Sequence, residues 1–163
     1  MTQPYTVPDG TAIGHVHLKV SNIERALEFY QGLLGFEIIQ RRGEDAVFIS
    51  AGGYHHHIGL NTWHSKDMPP APKNTTGLFH IAILYPTRKD LSAILRRLLD
   101  AGVELDGASD HGVSEALYLS DPDQNGIELY WDKPKSEWPK TEAGQLTMVT
   151  ERLNLENLLS ETA

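Results

Sequence analysis

The sequence predicts an α+β fold in which two paired βαβββ modules form a half-open barrel around a metal site. Three observations predict it. Helix-start signals recur at Ser21 and Thr87. Strand-like runs flank both helices at nearly constant spacing, and His15 and His80 recur at almost the same offset as the helix starts. A fixed period of this kind is the mark of a repeated structural unit.

Each element follows from its own residues. The run Ile13–Val20 alternates polar and apolar side chains, the period of a half-buried strand. Ser21-Asn22-Ile23-Glu24 has the hydroxyl-x-x-acid form of a helix cap, and Ile23, Ala26, Leu27, Tyr30 and Leu34 continue it as an apolar stripe. Gly35 suits a left-handed helix end. A weak strand near residues 36–41 follows, then Ala46–Ser50 and Ile58–Leu60. The second copy repeats this order. Leu78–Tyr85 is the strand, Thr87-Arg88-Lys89-Asp90 the cap, and Leu91, Ile94, Leu95 and Leu98 the stripe. Gly102 ends the helix, and strands are expected at 103–106, Ala116–Ser120 and Ile127–Leu129. The modules therefore span 12–65 and 78–132. Residues 66–77, with Pro69, Pro70 and Pro72, form a linker. The extension 133–163 is proline-rich and polar, and closes with an amphipathic helix from about Asn154 to Glu161 that caps the domain or a partner subunit.

Composition narrows the function. A net charge of −8 without a Lys/Arg-rich run argues against nucleic acid or an anionic membrane surface as partner. No stretch reaches the roughly 20 apolar residues of a membrane span. Met1–Gly10 lacks the apolar core of a secretory signal, so a cytoplasmic protein is expected. With no cysteine in the chain, any metal must rest on histidine and carboxylate ligands.

Strand alternation sorts the side chains. Val16, Leu18 and Val20 share one face of the first strand, with His15, His17 and Lys19 on the other. Phe79, Ile81 and Ile83 oppose His80 and Ala82, while Ile127, Leu129 and Trp131 oppose Glu128 and Tyr130. The apolar faces belong under the helices, and the polar ones look into a shared concave space. The same rule places Tyr118 and His57, with Gly59 and Asn61, on the concave side. His15 and His80 are repeat equivalents, as are Gly59 and Glu128. Two imidazoles and one carboxylate make a facial triad, whose usual occupant is Fe(II); ligand type does not separate Fe(II) from Mn(II). Gly59 supplies no fourth ligand, which favours an open, reactive site over a closed structural one.

With these residues in view, the chain resembles the vicinal oxygen chelate superfamily (glyoxalase, bleomycin resistance and extradiol dioxygenase proteins), and within it the catechol 2,3-dioxygenase-like branch. The resemblance rests on His15-Val-His-Leu-Lys-Val20, Phe29-Tyr30, Gly32-Leu-Leu-Gly35-Phe36, Phe79-His80-Ile-Ala-Ile83, Asp121-Pro-Asp123 with Asn125-Gly126, and Ile127-Glu128-Leu-Tyr130. More specific to the branch are Ser50-Ala-Gly-Gly-Tyr-His-His-His57 and Asp110-His111-Gly-Val-Ser-Glu-Ala-Leu-Tyr118. It implies His15, His80 and Glu128 as iron ligands and His57 as the acid–base histidine, with His111 and Tyr118 beside the metal-bound groups. The implied reaction is extradiol cleavage of a small aromatic diol by dioxygen, in a homodimer. This chain carries one module pair, where familiar extradiol enzymes often carry two.

Other readings stand beside this one. At most two of His55, His56 and His57 can face the cavity, and alternation favours His57. His111 is equally consistent with an exposed loop, and Tyr118 with a core aromatic mirroring Phe48. Two alternative functions are a glyoxalase-like metal-dependent lyase or isomerase, and a metal-free protein that sequesters a drug.

Overall fold

The computed structural model describes residues 4–161. The first module contains β1 (Val16–Lys19), α1 (Ile23–Leu27), β2 (Glu37–Arg42), β3 (Ala46–Ser50) and β4 (Ile58–Asn61). The second contains β5 (Ile81–Leu84), α2 (Arg88–Asp100), β6 (Gly107–Asp110), β7 (Ser114–Ser120) and β8 (Gly126–Asp132). The strands form two separate sheets, ordered β1-β4-β3-β2 and β5-β8-β7-β6, with a short β9 (Glu151–Arg152) added beside β6. β1 pairs with β4 and β5 with β8 in parallel, and all other pairings are antiparallel. The expected α+β, half-open architecture is what the chain adopts.

Local chemistry accounts for the helices. Thr87 and Asp90 form a full capping box: Thr87 Oγ1 accepts from Asp90 N, and Asp90 accepts from Thr87 N. Thr87→Ala removes one half of this exchange and is expected to cost about 1 kcal/mol, measured by urea unfolding. In the first module the cap is Asn22, not Ser21. Asn22 has the extended backbone of a cap, and its side chain accepts from Arg25 N at 2.9 Å. Ser21 instead accepts from the Arg25 guanidinium. α1 then widens into a π-helical segment, Glu28–Leu33, that buries both Phe29 and Tyr30. Gly35 and Gly102 take the expected left-handed conformation, with φ of 85° and 70°.

Several boundaries differ from expectation. The strand expected at 103–106 lies instead at Gly107–Asp110. Val103 and Leu105 pack against the core as the chain leaves α2. The Gly-Ala-Ser-Asp stretch, poor in strand formers, is held by β7 on one side and β9 on the other. The extension does more than cap: β9 widens the second sheet, and α3 (Leu155–Leu159) packs beside α2. Arg88 ties this together, bonding Glu115, Asn157 and Glu161.

One core joins the two modules on their helix sides. It includes Leu18, Val20, Tyr30, Val47, Ile49 and Leu60 from the first, and Leu91, Leu98, Leu117, Leu119 and Leu129 from the second. Polar links reinforce it. Tyr30 Oη donates to Asp121 Oδ2 at 2.9 Å, and Arg25 pairs with Asp123. Arg97 donates to the carbonyls of Gly32 and Leu33. Burial and then Asp121 push the Tyr30 phenol well above the usual tyrosine range, so it remains a donor. The Asp121–Gly126 motif is thus a structural turn. Asp121 also accepts from Asp123 N, Asn125 N and Asn125 Nδ2, each at 2.8 Å. Gly126 is required by close approach, since a Cβ there would lie 2.2 Å from the Phe79 carbonyl oxygen.

Candidate metal centre

On the second sheet, pairing brings four of the expected residues together. β7 and β8 set Tyr118 opposite Glu128, and β5 joins β8 on its other side. His80, just before β5, places Nε2 2.9 Å from Glu128 Oε2. Tyr118 Oη donates to Glu128 Oε1 at 3.2 Å and lies 2.6 Å from His111 Nε2. The result is a continuous contact chain, His80–Glu128–Tyr118–His111. His80 Nδ1 is buried with no hydrogen-bond partner, so the imidazole addresses its surroundings through Nε2, beside the carboxylate. A nitrogen and a carboxylate oxygen side by side on an open sheet face fit two positions of a divalent-metal site.

His111 is held from behind. Its Nδ1 lies 2.9 Å from the Val149 carbonyl oxygen, and Val149 N donates to the His111 carbonyl. A carbonyl can only accept, which assigns a proton to Nδ1; in the neutral imidazole Nε2 is then an acceptor that competes with Glu128 for the single Tyr118 hydroxyl proton. The preceding Asp110 accepts from Lys133 and from Gly112 N. Burial alone would raise the Asp110 carboxyl, but these partners hold it below its ordinary value. Burial, followed by the neighbouring Glu128 charge, pushes Tyr118 up to about 12, so its hydroxyl stays protonated at neutral pH. His111 is therefore not a free loop histidine, and Tyr118 uses its hydroxyl rather than serving only as core packing. Sequence reasoning did not find Val149, because a backbone carbonyl far along the chain carries no residue-type signature.

The first sheet carries the other expected residues. His15 stacks against His56, with ring centroids 4.3 Å apart, and His56 packs on Phe48. The histidine that reaches His15 is thus His56. His57 precedes β4 and turns toward the end of β3, with Nδ1 2.9 Å from Ser50 Oγ and 3.3 Å from Ala51 N. The chain is not yet regular strand at 55–57, so simple alternation does not carry through it. Burial and then the neighbouring histidines, His15 first, hold His56 below the ordinary histidine value; burial and His15 do the same to His17. The His17 ring lies over Gly59, where an added Cβ would come within 2.8 Å of it. The place equivalent to Glu128 is therefore roofed by an imidazole.

A single chain does not gather His15, His80 and Glu128. Among the described residues, no group of three or more His, Cys, Asp or Glu side chains is placed to hold a metal ion. Also among them, no helix is long and apolar enough to cross a membrane.

Comparison with known proteins adds the lineage. The chain is 40% identical over 156 residues to a catechol-2,3-dioxygenase of Bacillus subtilis (strain 168), covering 96% of this chain and 54% of that protein. It is 29% identical over 120 residues to biphenyl-2,3-diol 1,2-dioxygenase 3 of Rhodococcus globerulus, covering 74% and 63%. The chain thus spans roughly half to two thirds of the length of these curated relatives. A crystal structure of a glyoxalase/dioxygenase from Nostoc punctiforme shares the fold, with a TM-score of 0.64 at 14% identity over 82% of this chain and 100% of that one. Residues 12–129 match the family model itself, so the repeat, the two sheets built on βαβββ modules and this match place the chain in the glyoxalase/bleomycin resistance protein/dioxygenase superfamily.

Proposed function

We propose that this protein is an Fe(II)-dependent extradiol dioxygenase that cleaves a catechol-type ring, with His15, His80 and Glu128 as metal ligands. The observation that carries this reading is the chain His80–Glu128–Tyr118–His111, which ends a donor pair in two groups suited to moving a proton. The dioxygenase relatives support the reaction class. The same donor set also serves Mn(II). Bound there, the metal would supply Lewis acidity toward two adjacent ring oxygens and open positions for dioxygen.

The chain's own residues supply the rest. Tyr118, protonated at neutral pH, donates to Glu128 and orients that carboxylate. His111 Nε2 is the acceptor available for a proton arriving through the Tyr118 hydroxyl. His57 is the proposed acid–base group on the first sheet, and Ser50 holds its Nδ1 side. Overall, one diol and one dioxygen give one ring-opened semialdehyde acid. The carbon–carbon bond beside the diol breaks and both oxygen atoms enter the product, so no external reductant is needed. Gly59 has no side chain to offer as a fourth ligand, which weighs against the glyoxalase-like lyase reading.

The test is to purify the protein anaerobically, measure bound iron, then add catechols with air and follow oxygen uptake with the yellow ring-opened product. Bound iron without oxygen uptake across a panel of catechols would overturn the reading. Tyr118→Phe is expected to keep its metal within about 10-fold in affinity but lose about 10- to 100-fold in kcat, the range for a partner that orients a ligand. Steady-state kinetics alongside metal analysis checks this.

A further inference from the structure

We infer that the C-terminal extension is part of the candidate site: a strap over residues 133–152 holds His111 in one tautomer, with Val149 as the positioning residue. This rests on the proposed proton path through Tyr118 and names what sets its direction. The strap lies beyond residue 129, where the match to the family model ends. Both its ends are fastened to the chain around His111. At the start, Lys133 N donates to the Val113 carbonyl and Lys133 Nζ to Asp110. At the end, β9 pairs Glu151 with Asp110 and Arg152 with Ser109, and the next residue, Leu153, is buried in the core. In between the strap closes on itself, with Trp138 Nε1 donating to the Lys133 carbonyl and Thr147 N to the Pro139 carbonyl.

Gly112 makes room for this approach. Its φ of 76° is left-handed, and a Cβ there would lie 2.9 Å from Pro139 Cγ and 3.3 Å from Val149 Cγ2. Val149 thereby reaches His111 twice: its N donates to the His111 carbonyl at 3.1 Å, and its carbonyl accepts from Nδ1 at 2.9 Å. Thr150 Oγ1 stands farther from the same nitrogen, at 3.4 Å. The tautomer of a neutral imidazole follows the bond that its other nitrogen makes. With the proton on Nδ1, Nε2 and Glu128 compete for the Tyr118 hydroxyl proton. With the proton on Nε2, the imidazole would donate to Tyr118 instead, and that hydroxyl would serve Glu128 alone. The strap therefore decides whether His111 can receive a proton from Tyr118.

Proton–nitrogen NMR of the histidine side chains tests this on metal-free protein at about pH 9, where imidazoles are neutral. His111→Gln identifies the signal by its loss. Wild type should show His111 in the Nδ1–H form. Val149→Pro removes the N–H that donates to the His111 carbonyl and should move His111 toward the Nε2–H form. Where circular dichroism shows that Val149→Pro unfolds, Gly112→Ala takes its place: the new Cβ meets the Pro139 ring and displaces the strap without altering its sequence. Wild-type His111 in the Nε2–H form, or a folded variant that keeps the Nδ1–H form, would overturn the proposal. In the proposed reaction the same variant should hold metal affinity and KM within about 3-fold but lose about 10- to 100-fold in kcat. An unchanged kcat beside a changed tautomer would also overturn it. If the tautomer changes but wild type takes up no oxygen with any catechol, the dioxygenase reading fails while the hold of the strap on His111 stands.

Discussion

Glu128→Ala is expected to lower metal retention by more than about 100-fold and to abolish turnover with it. Loss of a residue that only orients a ligand costs roughly 10- to 100-fold, and Glu128 is proposed as a ligand itself. It contacts His80 Nε2 through one oxygen and accepts from Tyr118 through the other. Removing it also leaves Tyr118 with a single acceptor, His111. The measurement is metal per chain after dialysis, paired with oxygen uptake and with circular dichroism to confirm the fold. Glu128 is only part-buried, and its strand neighbours Ile127 and Leu129 carry the packing, so the fold should survive. Retention of iron within about 10-fold of wild type would remove Glu128 from the ligand set.

Asp121→Ala is expected to have the largest effect on stability, about 3–5 kcal/mol, because it breaks a buried charged network from one side. Four donors converge on this carboxylate: Tyr30 Oη, Asp123 N, Asn125 N and Asn125 Nδ2. Tyr30 is fully buried, so its hydroxyl would be left unpaired. For a chain of this size the melting temperature should fall by roughly 10 °C. The bond also joins the first module to the second. A double-mutant cycle with Tyr30→Phe should therefore show coupling of about 1 kcal/mol or more. A loss below about 1 kcal/mol for Asp121→Ala alone would mean that the turn and the inter-module contact hold without the carboxylate.

Much of this was legible along the chain. The recurrence of helix starts at Ser21 and Thr87, the Thr87–Asp90 box and the glycines at 35 and 102 are local signals, set by hydrogen bonds and dihedral preferences between near neighbours. Alternation in β7 and β8 placed Tyr118 and Glu128 on one face because both strands are regular where those residues sit. At 55–57 the chain is irregular, so alternation does not carry through it, and His57 contacts Ser50 while His56 packs on Phe48. Cap identity also moved by one residue, since Arg25 engages Ser21 and leaves Asn22 to serve the backbone.

By itself the sequence determined the repeat, the α+β class, the family and the candidate ligands, because residue type and short-range spacing carry that information. Only the tertiary structure decided which of the candidate ligands meet. His80 and Glu128 converge because β5 and β8 are neighbours, whereas His15 stands apart because the modules pack through their helices. That choice depends on burying one continuous apolar core and on bonds such as Tyr30–Asp121, which join distant parts of the chain and have no periodic trace in it.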